Sequence, residues 1–159
     1  MQERIAIIDG VRTPMAKAGG KLKNLAADEL GAISVRELIS RLDIPYELYD
    51  EVIIGNVAQP VHAANVSRVI ALKAGLPESI IASTVHRNCA SGMESLTSST
   101  NRILSGNGEI FICGGTESMS NIPLLFNKKM TGFFEHLMQS KTVPSKINTL
   151  LEFRPGFLK

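Results

Sequence analysis

Thr84-Val-His-Arg-Asn-Cys-Ala-Ser-Gly-Met-Glu-Ser-Leu96 sets a single cysteine between two kinds of periodicity. Ile80-Ile-Ala-Ser-Thr-Val85 just before it is β-branched and apolar, the pattern of a buried strand. Met93, Leu96, Thr100, Ile103 and Leu104 behind it recur at helical spacing. Cys89 therefore falls where a strand stops and a helix begins. The first N–H groups of a helix have no intrahelical partner, and the aligned peptide dipoles place partial positive charge there. A thiolate at such a place is favoured over a thiol, and the same amides suit the oxyanion formed when sulfur attacks a carbonyl. Ser91 and Gly92 keep the approach uncrowded. On the junction alone two readings stand: a nucleophile, or a small core residue, as free cysteines usually are. Cys113, inside the apolar run Glu109-Ile-Phe-Ile-Cys113 with no helix start beside it, reads as core packing.

Working outward, Arg4-Ile-Ala-Ile-Ile8 reads as a strand covered on both faces. Asp9-Gly-Val-Arg-Thr-Pro14 and Gly19-Gly20 read as loop. Asp28 is the expected N-cap of a helix carrying Leu30, Ile33, Leu38 and Leu42, stopped by Pro45. Glu51-Val-Ile-Ile-Gly-Asn-Val57 is a second buried strand. Asn65 caps a helix with Val66, Val69 and Ile70 that Gly75 and Pro77 close. The helix after the cysteine, about residues 90–105, is small-sided and nearly uncharged, which predicts burial between layers. Gly106-Asn-Gly108 ends it, and Phe111-Ile-Cys-Gly-Gly-Thr-Glu117 is a fourth strand running into a glycine turn. The order βαβαβαβ predicts an α/β fold with a mostly parallel, helix-covered sheet. Beyond Pro123, Met130, Phe133, Phe134, Leu137 and Met138 form one apolar helical face, followed by Pro144 and Pro155-Gly156. The tail ends in Phe157-Leu-Lys159 without a closing strand, so the sheet is expected to be incomplete.

Composition narrows the function classes. Hydrophobic residues make up 44% of the 159, enough for one ordinary domain with a real core. The two cysteines stand in such different settings that a reducing compartment fits better than a disulfide, and a cytoplasmic location is expected. No secretory signal and no membrane span is read in the sequence. A net charge of +2 does not point to nucleic acid. Residues 1–126 carry 11 basic and 13 acidic side chains, residues 127–159 carry 6 and 2. The basic tail is either a solvated surface or a patch for an anionic ligand such as a phosphorylated cofactor. Dinucleotide and phosphate loops are absent, and no Cys/His spacing suggests a metal.

Four of these segments together resemble the thiolase family, the acetyl-CoA acetyltransferases and 3-ketoacyl-CoA thiolases. They are Asp9-Gly-Val-Arg-Thr-Pro14, Gly55-Asn-Val57, Arg87-Asn-Cys-Ala-Ser-Gly-Met93 and Gly114-Gly-Thr-Glu-Ser-Met-Ser120. The resemblance runs from about residue 4 to 126 and covers the front part of such enzymes. It implies a thiolase-like N-terminal α/β domain over residues 1–122, lacking its last strand. Residues 123–159 would then begin the loop domain that holds CoA.

It also implies that Cys89 takes the acyl group from acyl-CoA as a thioester. Coenzyme A thioesters would be substrates, with no permanently bound cofactor and no metal. The family's base His, in Gly-His-Pro, and its second Cys, in Cys-x-Gly-Gly-Gly, belong to a second half and have no match here. His62, His86 and His136 are none of them followed by proline. Glu117 is expected to brace loops near the site rather than transfer a proton. The partners implied are acyl-CoA and CoA, with either a homo-oligomer or a complementing C-terminal half. The alternative function is a catalytically inactive thiolase-like fragment, or an interaction module.

Overall fold

The computed structural model describes residues 4–154 and 156; Pro155 and the closing Phe157-Leu-Lys159 of the sequence reading lie outside them. The chain forms two compact units, Met1–Pro123 and Leu124–Lys159. The first contains helix α1 (Ala27–Arg41), strand β1 (Glu51–Gly55), helix α2 (Val66–Ala74), strand β2 (Ile81–Val85), helix α3 (Ser91–Leu104) and strand β3 (Phe111–Gly115). The second contains α4 (Lys128–Gln139) and α5 (Val143–Leu151).

The sheet has the order β2-β1-β3, and both pairings are parallel. The α/β fold expected from the sequence is the one observed. β1 is central because it can be: Val52, Ile53 and Ile54 are all buried, and the strand has an apolar side chain for each face. Val52 and Ile54 join Val35 and Ile39 of α1 and Val66 and Ile70 of α2 in the main core. Glu51 and Gly55, pointing the other way, meet Arg102 and Ser91 of α3. The α1–α2 pair and α3 therefore cover opposite faces, as right-handed crossovers in opposite directions require.

Two corrections follow. Residues 4–8 form no strand, and Ile7 and Ile8 are exposed. A continuous apolar run is necessary for a buried strand but not sufficient, because the strand also needs a neighbour for its backbone. β2 is a sheet edge rather than a buried strand: Ile81 is exposed and the next four residues are half-buried.

Helix ends follow the sequence signals unevenly. Asn65 accepts from the Arg68 amide (3.2 Å) and Gly75 closes α2 at φ 98°, both as expected. Asp28 is not an N-cap. The N-cap is Ala26, two residues earlier, and Glu29 reaches back to accept from the Ala26 amide (2.7 Å). Asp28 instead sits in the first turn, fully buried, where Lys73 Nζ (2.6 Å) and His62 Nε2 (3.1 Å) bond its two oxygens. Burial pushes its carboxyl up, but the bonds from Lys73, His62 and its own backbone outweigh this and hold it below the ordinary 3.8.

The sign of the pH dependence follows. A lowered folded pKa means stability that is complete above about 3.8 and lost as pH falls through the folded value. Asp28→Asn is expected to cost about 2 kcal/mol at neutral pH and to flatten the acid limb of the denaturation profile. The cost stays below that of a fully buried pair because Lys73 reaches solvent.

In the second unit, Asn127 caps α4 by accepting from the Met130 amide (2.9 Å), and the Phe133 ring packs edge-on against Phe134 and Phe153. No helix is expected after Pro144 from the sequence, yet Pro144 belongs to α5. It lies in the first turn after the Thr142 cap, where proline costs no hydrogen bond.

Candidate active site

Cys89 is exposed, between the end of β2 and the start of α3. The turn that delivers it is tight. Ala90 and Ser91 donate their amides to Arg87 O and Asn88 O (3.0 Å each), and the Ser91 hydroxyl accepts from the Arg87 amide (2.8 Å). Asn88 takes the left-handed conformation, φ 49°, alone among the described non-glycine residues. Asparagine tolerates that region better than other L-residues, and a residue held there at a site of this kind is a mark of imposed geometry. Asn88→Gly is therefore expected to leave stability within a few tenths of a kcal/mol. Asn88→Val should cost about 2 kcal/mol, read as the difference in urea midpoint between the two variants.

The first amide to bond back into α3 is that of Glu94, to Ala90 O (2.8 Å). Ala90 and Ser91 are spent on the turn, and the Gly92 and Met93 amides have no backbone carbonyl partner among the described residues. They are the available donors of the helix N-terminus.

Cys89 lines an open cavity of about 670 Å³ formed where β1 and β3 end, outside their carboxyl termini. In open α/β sheets this is where ligands bind, beside the strand at which the chain reverses its direction of travel across the sheet. The cavity is shaped by three glycines. A Cβ on Gly55 would lie 2.3 Å from the Ser91 backbone, and one on Gly115 would lie 3.0 Å from Gly92 Cα. The start of α3 is thus seated directly on the ends of two strands. Ser95 and Ser99 continue the contact down the helix, small and buried, with their hydroxyls donating to Gly92 O (2.7 Å) and Leu96 O (2.9 Å). The opposite face of α3 is not covered among the described residues, and Met93 and Leu104 on it are exposed.

Glu117 lies on the same cavity and is fully engaged. Its carboxylate accepts from the Val57 amide (3.0 Å), the Ala58 amide (3.3 Å) and Asn56 Nδ2 (3.2 Å). Asn56 also donates to Thr116 O (2.9 Å), so the ends of β1 and β3 are locked together behind the cysteine. Asn56 is buried and its Oδ1 has no partner among the described residues. Asn56 falls within Gly55-Asn-Val57, a segment that carries the family resemblance, and has no role of its own in the sequence reading.

The histidines are elsewhere. His62 is tied to Asp28, His86 is exposed on the segment after β2, and His136 is exposed on α4. Cys113 is half-buried, its thiol donating to Ser99 Oγ (3.1 Å), and burial pushes its pKa up. Among the described residues no three His, Cys, Asp or Glu side chains cluster as a metal site would, and no helix is long and apolar enough to cross a membrane.

The arrangement has counterparts. Residues 5–150 match the family described as thiolase, N-terminal domain. An acetyl-CoA acetyltransferase of Schizosaccharomyces pombe is 42% identical over 128 residues, covering 80% of this chain and 32% of the relative. The mitochondrial trifunctional enzyme subunit beta of Bos taurus is 34% identical over 154 residues, covering 97% of this chain and 32% of that one. The crystal structure of the Bacillus anthracis acetyl-CoA acetyltransferase superposes with a TM-score of 0.72 at 35% identity, over 76% of this chain and 30% of that chain. The chain spans about a third of the length of these relatives. By motif, by fold and by the match over residues 5–150, it belongs to the thiolase family through that family's N-terminal domain.

Proposed function

We propose that this chain is the acyl-accepting part of a thiolase-type acyl-CoA acyltransferase, with Cys89 as the residue that carries the acyl group. The observation behind this reading is an exposed cysteine, held on a left-handed Asn88 at a helix start, over an open cavity at the strand ends. In the reaction, Cys89 Sγ attacks the thioester carbonyl of acyl-CoA. Negative charge gathers on the carbonyl oxygen, where the Gly92 and Met93 amides suit it. The carbon–sulfur bond to CoA breaks, CoA leaves as the thiolate and takes up a proton, and the acyl group stays on Cys89. A second acceptor, CoA or the carbanion of acetyl-CoA, then removes it.

The cavity supplies no base for these proton transfers. Apart from Cys89 its titratable lining residue is Glu117, whose oxygens are occupied by Asn56, Val57 and Ala58. The base therefore comes from a complementing polypeptide or a further part of a longer chain. Residues 123–159 are read as the beginning of the domain that holds CoA, where a surplus of basic over acidic side chains suits the phosphates. A free thiol of this kind suits a reducing, cytoplasmic setting.

The test mixes the chain with the remaining two-thirds of an acetyltransferase relative and follows thiolysis of acetoacetyl-CoA. Cleavage that needs both parts and the Cys89 thiol is the expected result. Cleavage that is unchanged by Cys89→Ala would refute the assignment.

A further inference from the structure

Helix α5 carries its polarity inverted. Thr149 is buried, its hydroxyl donating to Ser145 O (3.0 Å) and lying 3.2 Å from Ser140 Oγ. The Ser145 hydroxyl donates to the same Ser140 oxygen (3.2 Å), so the inward side of the helix is lined by hydroxyls. Val143, Ile147, Leu150 and Leu151 are between 52% and 78% exposed. Their i, i+4, i+7, i+8 spacing gathers them in one stripe about 100° wide. At about 3.6 residues per turn that stripe stands opposite Ser145 and Thr149. A helix of a globular unit ordinarily turns such a stripe inward.

Cations surround the stripe. Residues 127–159 carry 6 basic and 2 acidic side chains, and Lys128, Lys129, Lys141 and Lys146 make no ion pair among the described residues. Lys146 stands three residues after Val143 and four before Leu150, which puts it on the border of the stripe. Lys141 lies just ahead of the Thr142 cap. At nine residues α5 is far short of the roughly 20 that a bilayer crossing takes. An apolar stripe bordered by lysines on a short helix is instead the pattern of a helix lying in the headgroup plane. There the stripe enters the acyl boundary and the lysine stems lie along it, with their ammonium groups among the lipid phosphates.

We propose that α5 and the lysines beside it dock on an anionic membrane surface, with Val143, Ile147, Leu150 and Leu151 facing the bilayer. The inference goes beyond acyl transfer and does not depend on it. Charge complementarity and the bare stripe select the occupant together. A CoA phosphate uses the charges and leaves the stripe in water. An apolar protein face covers the stripe and gives the lysines nothing to meet. An anionic lipid interface satisfies both.

The experiment is co-sedimentation of the full 159-residue chain with vesicles of phosphatidylcholine alone and of phosphatidylcholine mixed with phosphatidylserine. Binding is expected to be at least about tenfold tighter on the mixed vesicles and to weaken as salt is raised. Lys146→Gln should lower it about fivefold. The double change Ile147→Ser and Leu151→Ser should lower it by at least about tenfold on the same vesicles. All three side chains are exposed, so helix content by circular dichroism should stay that of the parent.

No binding to either vesicle, or equal binding to both, would overturn the proposal. So would unchanged binding of the serine variant with its helices intact. Should that variant lose helix content, the salt dependence and Lys146→Gln still decide. Self-association without vesicles that the serine variant abolishes would assign the stripe to a second copy. Vesicle binding abolished by the remaining two-thirds of an acetyltransferase relative would assign it to that part. Cys89→Ala must bind as the parent does, which separates failure here from failure of the acyl-transfer reading.

Discussion

Gly55→Ala is expected to be the most damaging single-methyl change in the chain. The added Cβ would sit 2.3 Å from both the carbonyl carbon and the oxygen of Ser91, a separation that backbone atoms do not tolerate. No side chain can rotate away, so either β1 or the first turn of α3 must move. Overpacking of this kind costs about 1–3 kcal/mol, and here the upper end is expected because both partners are backbone. The functional effect should exceed the stability effect. Cys89 lies two residues before Ser91, on a turn whose hydrogen bonds end at Ser91 itself. Displacement of a reacting group by about 1 Å can cost on the order of 100-fold in rate. The measurement is paired: urea unfolding of the variant, and the rate of acetylation of Cys89 under conditions where the variant remains folded. A variant with wild-type rate and wild-type midpoint would mean that the helix is not seated as described.

Cys89→Ala is expected to show the opposite signature. The side chain is exposed, so its loss removes no packing, and the unfolding midpoint should move by less than about 0.5 kcal/mol. Acyl transfer should fall by at least about 1,000-fold, because removing a covalent nucleophile leaves only what binding and the amides supply. Cys113→Ala provides the contrast. That thiol is half-buried against Ser99, so its loss should touch stability by about 1 kcal/mol and leave acylation intact.

The parts of this molecule that could be read from sequence are those fixed by neighbours in the chain. Glu51-Val-Ile-Ile is apolar on both faces and became the central strand. Asn65 and Gly75 mark the ends of α2 because capping is a local hydrogen-bond problem. The junction at Cys89 was legible for the same reason, as a change of period from strand to helix within a dozen residues. What was not legible depends on partners distant in sequence. Ile5–Ile8 has the composition of a strand, but its backbone pairs with no strand among the described residues. Asp28 looked like a cap, since nothing local reveals that Lys73 and His62 converge on it from 45 and 34 residues away. Gly55 and Gly115 read as strand-end glycines, and their use as a seat for Gly92 and Ser91 appears only when the three segments meet. The role of Glu117 as a brace was expected from the resemblance, and its three bonding partners give that expectation a geometry.

The most direct test of the central claim is intact-mass spectrometry of the 159-residue chain after incubation with acetyl-CoA, run beside Cys89→Ala and Cys113→Ala. The account predicts, with the complementing part present, one acetyl group on the parent chain and on Cys113→Ala, and none on Cys89→Ala. An acetyl group that persists in Cys89→Ala, or a parent chain that stays unmodified with and without its complementing part, would contradict it.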